Sequence, residues 1–161
     1  MCTCTCDLVR DLRCKHLIAV VEDPKDVRNI GTEIRNANAL GVEKVYVVDL
    51  RGTLPDDRQD MRDRKNRLDS SVSAVKWTFT KRFDSTEACL SHLEKAGFTP
   101  IVTSPHVKGK KNCHPDEGDY ITSAKLPVWF GNERRGISQF AVERSEICVA
   151  IPMFGMIGSS N

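Results

Sequence analysis

The stretch HLIAVVEDPKDVRNIGTEIRNANALGVEKVYVVDL, residues 16–50, decides the fold class. It opens on a strand-like run, His16 to Val21, in which Leu17-Ile18-Ala19-Val20-Val21 is apolar throughout rather than alternating. Continuous runs of this kind suit strands covered on both faces. A helix follows. It is predicted to start near Asn29, whose residue type caps helices, and to stop at Leu40-Gly41, where glycine adopts the left-handed conformation beyond a helix end. Ile30, Ile34, Ala37 and Gly41 fall on one face of that helix. A second apolar run, Lys44 to Leu50, completes a strand–helix–strand unit and predicts a parallel sheet with helices on its faces.

The rest of the chain continues the alternation. Strands are expected at Phe98 to Ser104, Pro127 to Phe130 and Ile147 to Pro152. Helical patterns run from Asp84 to Ala96, with Ala88, Leu90, Leu93 and Ala96 available to a core before Gly97 ends them, and from Gln139 to Arg144. Gly109 to Gly118 reads as a polar loop. Asp56 to Arg67 mixes acids with Arg58, Arg62, Arg64, Lys65 and Arg67. It reads either as a solvated face or as a rim that touches phosphates. No repeat or linker divides the 161 residues, so one α/β domain over 16–161 is expected behind a disordered tail, 1–15.

Composition narrows the function classes. Hydrophobic residues at 40%, charged residues at 29%, Gly 10 and Pro 7 exclude collagen-like, low-complexity and wholly disordered chains. No apolar run approaches the length that spans a bilayer, and the N-terminus lacks the apolar core of a signal peptide. A cytoplasmic protein without membrane contact is therefore expected. A net charge of +2 produces a weak overall field, so any nucleic-acid contact must come from local patches. The seven cysteines are odd in number, and Cys14, Cys89, Cys113 and Cys148 lack zinc or disulfide spacing, as suits reduced cytosolic thiols. Cys2, Cys4 and Cys6 can offer thiolates to a soft metal or belong to an unstructured tail, and no metal site is predicted.

Several familiar sites are missing. There is no GxGxxG after the first strand, no GxxxxGK[ST] and no GxSxG elbow, and His16, His92, His106 and His114 show no metal-ligand spacing. Three segments remain, each after a predicted strand, where open α/β sheets place ligands. They are Asn29 to Gly41, Phe130 to Gly136 and Ile151 to Asn161. Taken singly, Asn29 can simply cap, Arg35 can be a solvated helix residue, and Gly131 and Gly155 can simply make turns. Their order and spacing together shift the balance away from those separate readings.

In those segments the chain resembles the SpoU/TrmH branch of the knotted SPOUT methyltransferases over roughly residues 16–161. Asn29, Gly31, Arg35, Ala37, Ala39 and Gly41 match its first motif, N-x-G-x-x-x-R-x-A-x-A-x-G. Phe130, Gly131, Asn132, Glu133 and Gly136 match the second, F-G-N-E-x-x-G. Ile151, Pro152, Met153, Gly155, Ser159 and Asn161 match the third, I-P-M-x-G-x-x-x-S-L-N, with Ser160 standing where leucine is usual.

The resemblance implies a parallel-sheet α/β knot, S-adenosylmethionine as cofactor, methylation of ribose 2′-hydroxyls in tRNA or rRNA, and a homodimer. It places Thr103, Gly131, Ile151, Met156 and Ser160 around the cofactor. Serine at 160 in place of leucine would remove apolar contact worth about 1 kcal/mol or more. It assigns catalytic roles to Arg35, Asn29, Glu133, Ser159 and Asn161. Arg134 and Arg135, ahead of a turn at Gly136, are candidate contacts to RNA phosphates or solvent-exposed side chains.

Relatives continue past the third motif into a helix that closes the knot, so a chain ending at Asn161 is expected to lack most of that helix, and the N-terminal RNA-binding domain of some relatives is not expected here. A catalytically silent RNA-binding or dimerisation module of the same fold is therefore the alternative to an active enzyme. A flavodoxin-like nucleotide-binding domain is a third possibility without an identifiable site.

Overall fold

A computed structural model describes residues 12–25, 27–52, 78–104, 111–114, 125–132 and 134–151. The elements follow in chain order. They are β1 (Cys14–Glu22), α1 (Val27–Ala39), β2 (Val42–Val48), β3 (Phe79–Phe83), α2 (Thr86–Lys95), β4 (Ile101–Thr103), β5 (Lys111–Cys113), β6 (Leu126–Phe130), α3 (Gln139–Arg144) and β7 (Ile147–Val149). Among the described residues the strands form one seven-stranded sheet in the order β3-β2-β1-β6-β4-β7-β5. Every registered pair is parallel. This is the parallel α/β architecture expected from the apolar runs.

The continuous apolar character of β1 and β2 has a direct cause. Ile18, Val20, Tyr46 and Val48 enter a core with Leu90 and Leu93 of α2 and Ala141 of α3, together with Trp129. Val21, Val45 and Val47 enter a second core with Ile30, Ile34 and Ala37 of α1. Neighbouring side chains on a strand point to opposite faces, so where a strand runs between two cores its residues are apolar in succession, as in Leu17–Val21 and Val45–Val48. Ile34 is 1% exposed, and its truncation to alanine would cost about 2–5 kcal/mol.

Both ends of α1 bear on the sequence reading. Gly41 has φ +78 and donates its N–H to the Asn38 carbonyl, as a helix-terminating glycine should, and its own carbonyl accepts the Cys14 N–H. The start differs from expectation: the helix begins at Val27, so Asn29 lies inside the first turn and is not the cap. α2 begins at Thr86 rather than Asp84. Its cap is Ser85, whose side chain accepts the Ala88 N–H. α3 matches its predicted bounds and is capped by Ser138.

Two strands were not expected. β3 forms one edge of the sheet, and its FTKRF sequence leaves Phe79 and Lys81 exposed, so its pattern lacks the continuous apolar signal of a central strand. β5 forms the other edge, inside the segment read as a polar loop. Its three residues pair with β7, and the Cys113 carbonyl accepts the Ala150 N–H. Backbone pairing of so short a strand leaves no side-chain period to read. β1 begins at Cys14, two residues before the expected domain start, and Arg13 is hydrogen-bonded to Asn38 Oδ1. Residues 1–11, with Cys2, Cys4 and Cys6, and the Asp56–Arg67 stretch lie outside the described residues. The segment expected to thread a knot, residues 152–161, does so as well. Among the described residues no helix is long and apolar enough to cross a membrane, and no group of metal-ligating side chains is found.

Candidate active site at the carboxyl edge of the sheet

Strand order creates the site. From β1 the chain moves through α1 to β2 and β3 on one side, then crosses to β4 on the other side of β1, with β6 inserted between them. Such a reversal leaves a crevice at the strand carboxyl ends, which here are Glu22-Asp23 of β1 and Phe130-Gly131 of β6.

Thr103, Gly131 and Ile151 lie at or just beyond the ends of the consecutive strands β4, β6 and β7, on the same edge of the sheet. Register aligns Val102 with Trp129 and Thr103 with Val149. The Thr103 hydroxyl donates to the Trp129 carbonyl at 2.8 Å, tying β4 to β6. Ile151 is exposed, as is Phe130, so apolar side chains and strand-end backbone groups share this edge.

The turn after β6 is closed on itself. The Asn132 and Gly136 backbones exchange N–H donation at 2.9 and 2.8 Å, and Asn132 Oδ1 accepts the N–H groups of Arg134 at 2.8 Å and Arg135 at 3.1 Å. Gly136 has φ +70, a conformation glycine takes at no steric cost. Arg134 and Arg135 project from this turn into solvent. Arg135 also approaches Asp23 Oδ2 at 3.7 Å.

Asp23 was not anticipated from sequence. It is the one described non-glycine residue with positive φ, +46, a conformation Asp tolerates better than bulky residues. Its carbonyl accepts Asn132 Nδ2 and its buried carboxylate accepts Arg51 Nε at 3.0 Å. Beside it, Glu22 is 2% exposed and hydrogen-bonded to Trp129, Thr86 and Ser138. An acid pair directly after an apolar strand was the available signal, since the carboxyl end of a parallel strand is where a ligand site forms.

Asn29, in the first turn of α1, stays near the carboxyl edge, whereas Arg35 lies further along the helix. Asn29 and Arg35 are exposed on α1. This helix starts at the carboxyl edge and runs back along the sheet, so Arg35 lies about 12 Å along the axis from its first residue. Among the described residues, no hydrogen bond or ion pair links Arg35 to the strand ends, and it sits about two turns along α1 from the carboxyl edge. Glu133, Met156, Ser159, Ser160 and Asn161 lie outside the described residues.

Comparison with known proteins agrees with the motif reading. The family model described as the SpoU rRNA Methylase family matches residues 16–161. A tRNA (guanosine(18)-2′-O)-methyltransferase of Aquifex aeolicus is 27% identical over 95% of this chain and 66% of its own length. One of Borreliella burgdorferi is 23% identical over 95% of this chain and 63% of its own. The chain thus spans about two thirds of the length of these curated relatives, 66% and 63%. The A. aeolicus TrmH/SpoU tRNA modifying enzyme superimposes with a TM-score of 0.69 at 26% identity, over 94% of this chain and 71% of that one. The methyltransferase AviRb of Streptomyces viridochromogenes, solved with AdoMet, superimposes with a TM-score of 0.71 at 24% identity, over 96% of this chain and 57% of that one.

Proposed function

Since the chain belongs to the SpoU rRNA Methylase family, we propose that it is an S-adenosylmethionine-dependent RNA ribose 2′-O-methyltransferase that works as a homodimer in the cytoplasm. The observation that carries this reading is the convergence of Thr103, Gly131 and Ile151 on three adjacent strand ends beside the Arg134-Arg135 turn. tRNA is the substrate class favoured over rRNA, because the curated relatives are tRNA methyltransferases.

The edge suits the cofactor in donor chemistry. Backbone groups at the ends of β4, β6 and β7 can bond the polar rim of an adenine, and Ile151 and Phe130 can cover its apolar face. Met156 and Ser160 are assigned to the same pocket by motif position. When bound, S-adenosylmethionine supplies an electrophilic methyl group on a sulfonium.

The protein's task is then alignment and charge stabilisation. Arg35 is assigned as a phosphate clamp and as the group that stabilises the developing ribose alkoxide. Guanidinium groups hold their proton too firmly to serve as a base, so the 2′-hydroxyl proton goes elsewhere, with an RNA phosphate as acceptor. Asn29, Glu133, Ser159 and Asn161 are assigned polar positioning, and Arg134 and Arg135 contact substrate phosphates. The position of Arg35 well along α1, away from the helix start, favours a site completed by a second copy.

Titration calorimetry with S-adenosylmethionine, with light scattering on the same sample, tests the reading. Micromolar binding by a dimer is expected, followed by methyl transfer to tRNA that Arg35→Ala abolishes while cofactor affinity is kept. A folded chain that binds no cofactor would instead favour the catalytically silent module.

A further inference from the structure

We propose that Glu22 is a positioning residue for the cofactor edge: its buried carboxylate holds both ends of the turn that runs from Gly131 to Ser138. The assignment rests on the methyltransferase reading above and specifies what supports that site.

The carboxylate is saturated with donors. Oε2 accepts the Trp129 indole N–H at 3.2 Å and the Ser138 backbone N–H at 2.9 Å. Oε1 accepts the Ser138 hydroxyl at 2.7 Å and the Thr86 hydroxyl. A carboxylate has about four lone-pair sites, and these four bonds fill them. The carboxylate is buried, so each bond acts in a medium where it is stronger than in water and where its loss is costly.

The donors sit where the turn needs fixing. Trp129 lies two residues before Gly131 and also receives the Thr103 hydroxyl on its carbonyl. Ser138 lies two residues after Gly136, and its hydroxyl oxygen caps α3 by accepting the Ala141 N–H at 3.3 Å. One side chain therefore connects β6, the turn and α3, while the neighbouring Asp23 carbonyl holds Asn132. Thr86 is the exception, since it leads to α2 and away from the turn.

Glutamine is a close substitute that cannot meet the same demand. Indole and backbone N–H groups cannot accept, so its carbonyl oxygen must face Trp129 and Ser138 N, leaving its amide toward the two hydroxyls. Ser138 Oγ would then accept from both that amide and Ala141 while its own proton loses Glu22.

The test compares E22Q, S138A and T86V. S-adenosylmethionine affinity is read by calorimetry, and exchange at the Asn132, Gly136 and Ser138 amides is read by NMR. Positioning predicts that E22Q and S138A each weaken cofactor binding about tenfold, roughly the worth of one charge-assisted hydrogen bond, and speed exchange at those amides by a similar factor. T86V should lower Tm yet keep affinity within about twofold, which a purely structural role for the Glu22 cluster would not separate. A folded E22Q with wild-type affinity and exchange overturns the assignment. If E22Q does not fold, S138A decides by the same two readouts. If the unaltered protein binds no cofactor, the methyltransferase reading falls and the cofactor role of Glu22 is overturned with it, whereas binding by the unaltered protein that E22Q and S138A leave unchanged overturns the Glu22 assignment alone.

Discussion

Gly131 backs directly onto Gly136. A Cβ on Gly131 would stand 2.3 Å from the Gly136 carbonyl carbon and 2.5 Å from its oxygen. Backbone on the far side cannot rotate away as a side chain can, so alanine at 131 must open the turn and draw Asn132 from the Asp23 carbonyl. Gly131→Ala is expected to cost about 1–3 kcal/mol in stability and to weaken S-adenosylmethionine binding more than tenfold, read by thermal melting and calorimetry. Gly41→Ala is the control: its φ of +78 is unfavourable for alanine, yet nothing lies within 4 Å of its Cβ, so stability should fall and cofactor affinity should stay.

Arg134 and Arg135 are held by the backbone, through Asn132 Oδ1, with their guanidinium groups left to solvent. If each meets an RNA phosphate, removing it also removes one counterion-releasing contact. Arg134→Ala and Arg135→Ala should each reduce the slope of log affinity against log salt by about 1, measured by titrating labelled tRNA across a salt series. Slopes equal to wild type would remove both from the interface. Stability should scarcely change, because the Arg135–Asp23 pair is long at 3.7 Å and Arg135 is 80% exposed.

His92 introduces a pH dependence. It lies against the Tyr46 and Phe83 rings with Lys81 Nζ at 3.5 Å. Desolvation, then the charges of Lys81, Lys44 and Lys95, lower its pKa from the ordinary 6.5. A lowered folded value means that the unfolded chain binds more protons below neutrality, so this contribution is present above about pH 6.5 and is lost as pH falls through the folded value. Melting between pH 7.5 and 5 should show a smaller loss of Tm in His92→Gln than in the unaltered protein. Parallel curves would exclude His92 as the source.

Burial, then the charge of Glu22, pushes the Cys89 thiol up to about 12, partly offset by Lys81. At pH 8 about one such thiol in ten thousand is ionised, and the thiolate is the reactive form. Alkylation of the native protein followed by mass spectrometry should label the exposed Cys14 and leave Cys89 unmodified until denaturant is added. Native labelling of Cys89 would show that the α2 face opens.

Much of the fold is legible in the chain itself. The apolar runs of β1 and β2, the Ile30, Ile34 and Ala37 face of α1, the Gly41 stop and the bounds of α3 follow from local burial and local backbone chemistry. The family resemblance groups Thr103, Gly131 and Ile151, and the strands that end beside them, β4, β6 and β7, are neighbours in the sheet. Sequence did not disclose the edge strands β3 and β5, whose pairing is made by backbone groups common to all residues. Nor did it disclose that Asn29 lies within the first turn of α1. The Glu22 cluster was hidden for another reason: its partners are 64, 107 and 116 residues away, a separation that no periodicity encodes. Sequence by itself determined the central strands and the helices, because burial on their faces imprints a local period. Only the tertiary structure decided which strand ends meet and which buried carboxylate braces them, because strand order and convergent hydrogen bonds arise from the fit of distant segments.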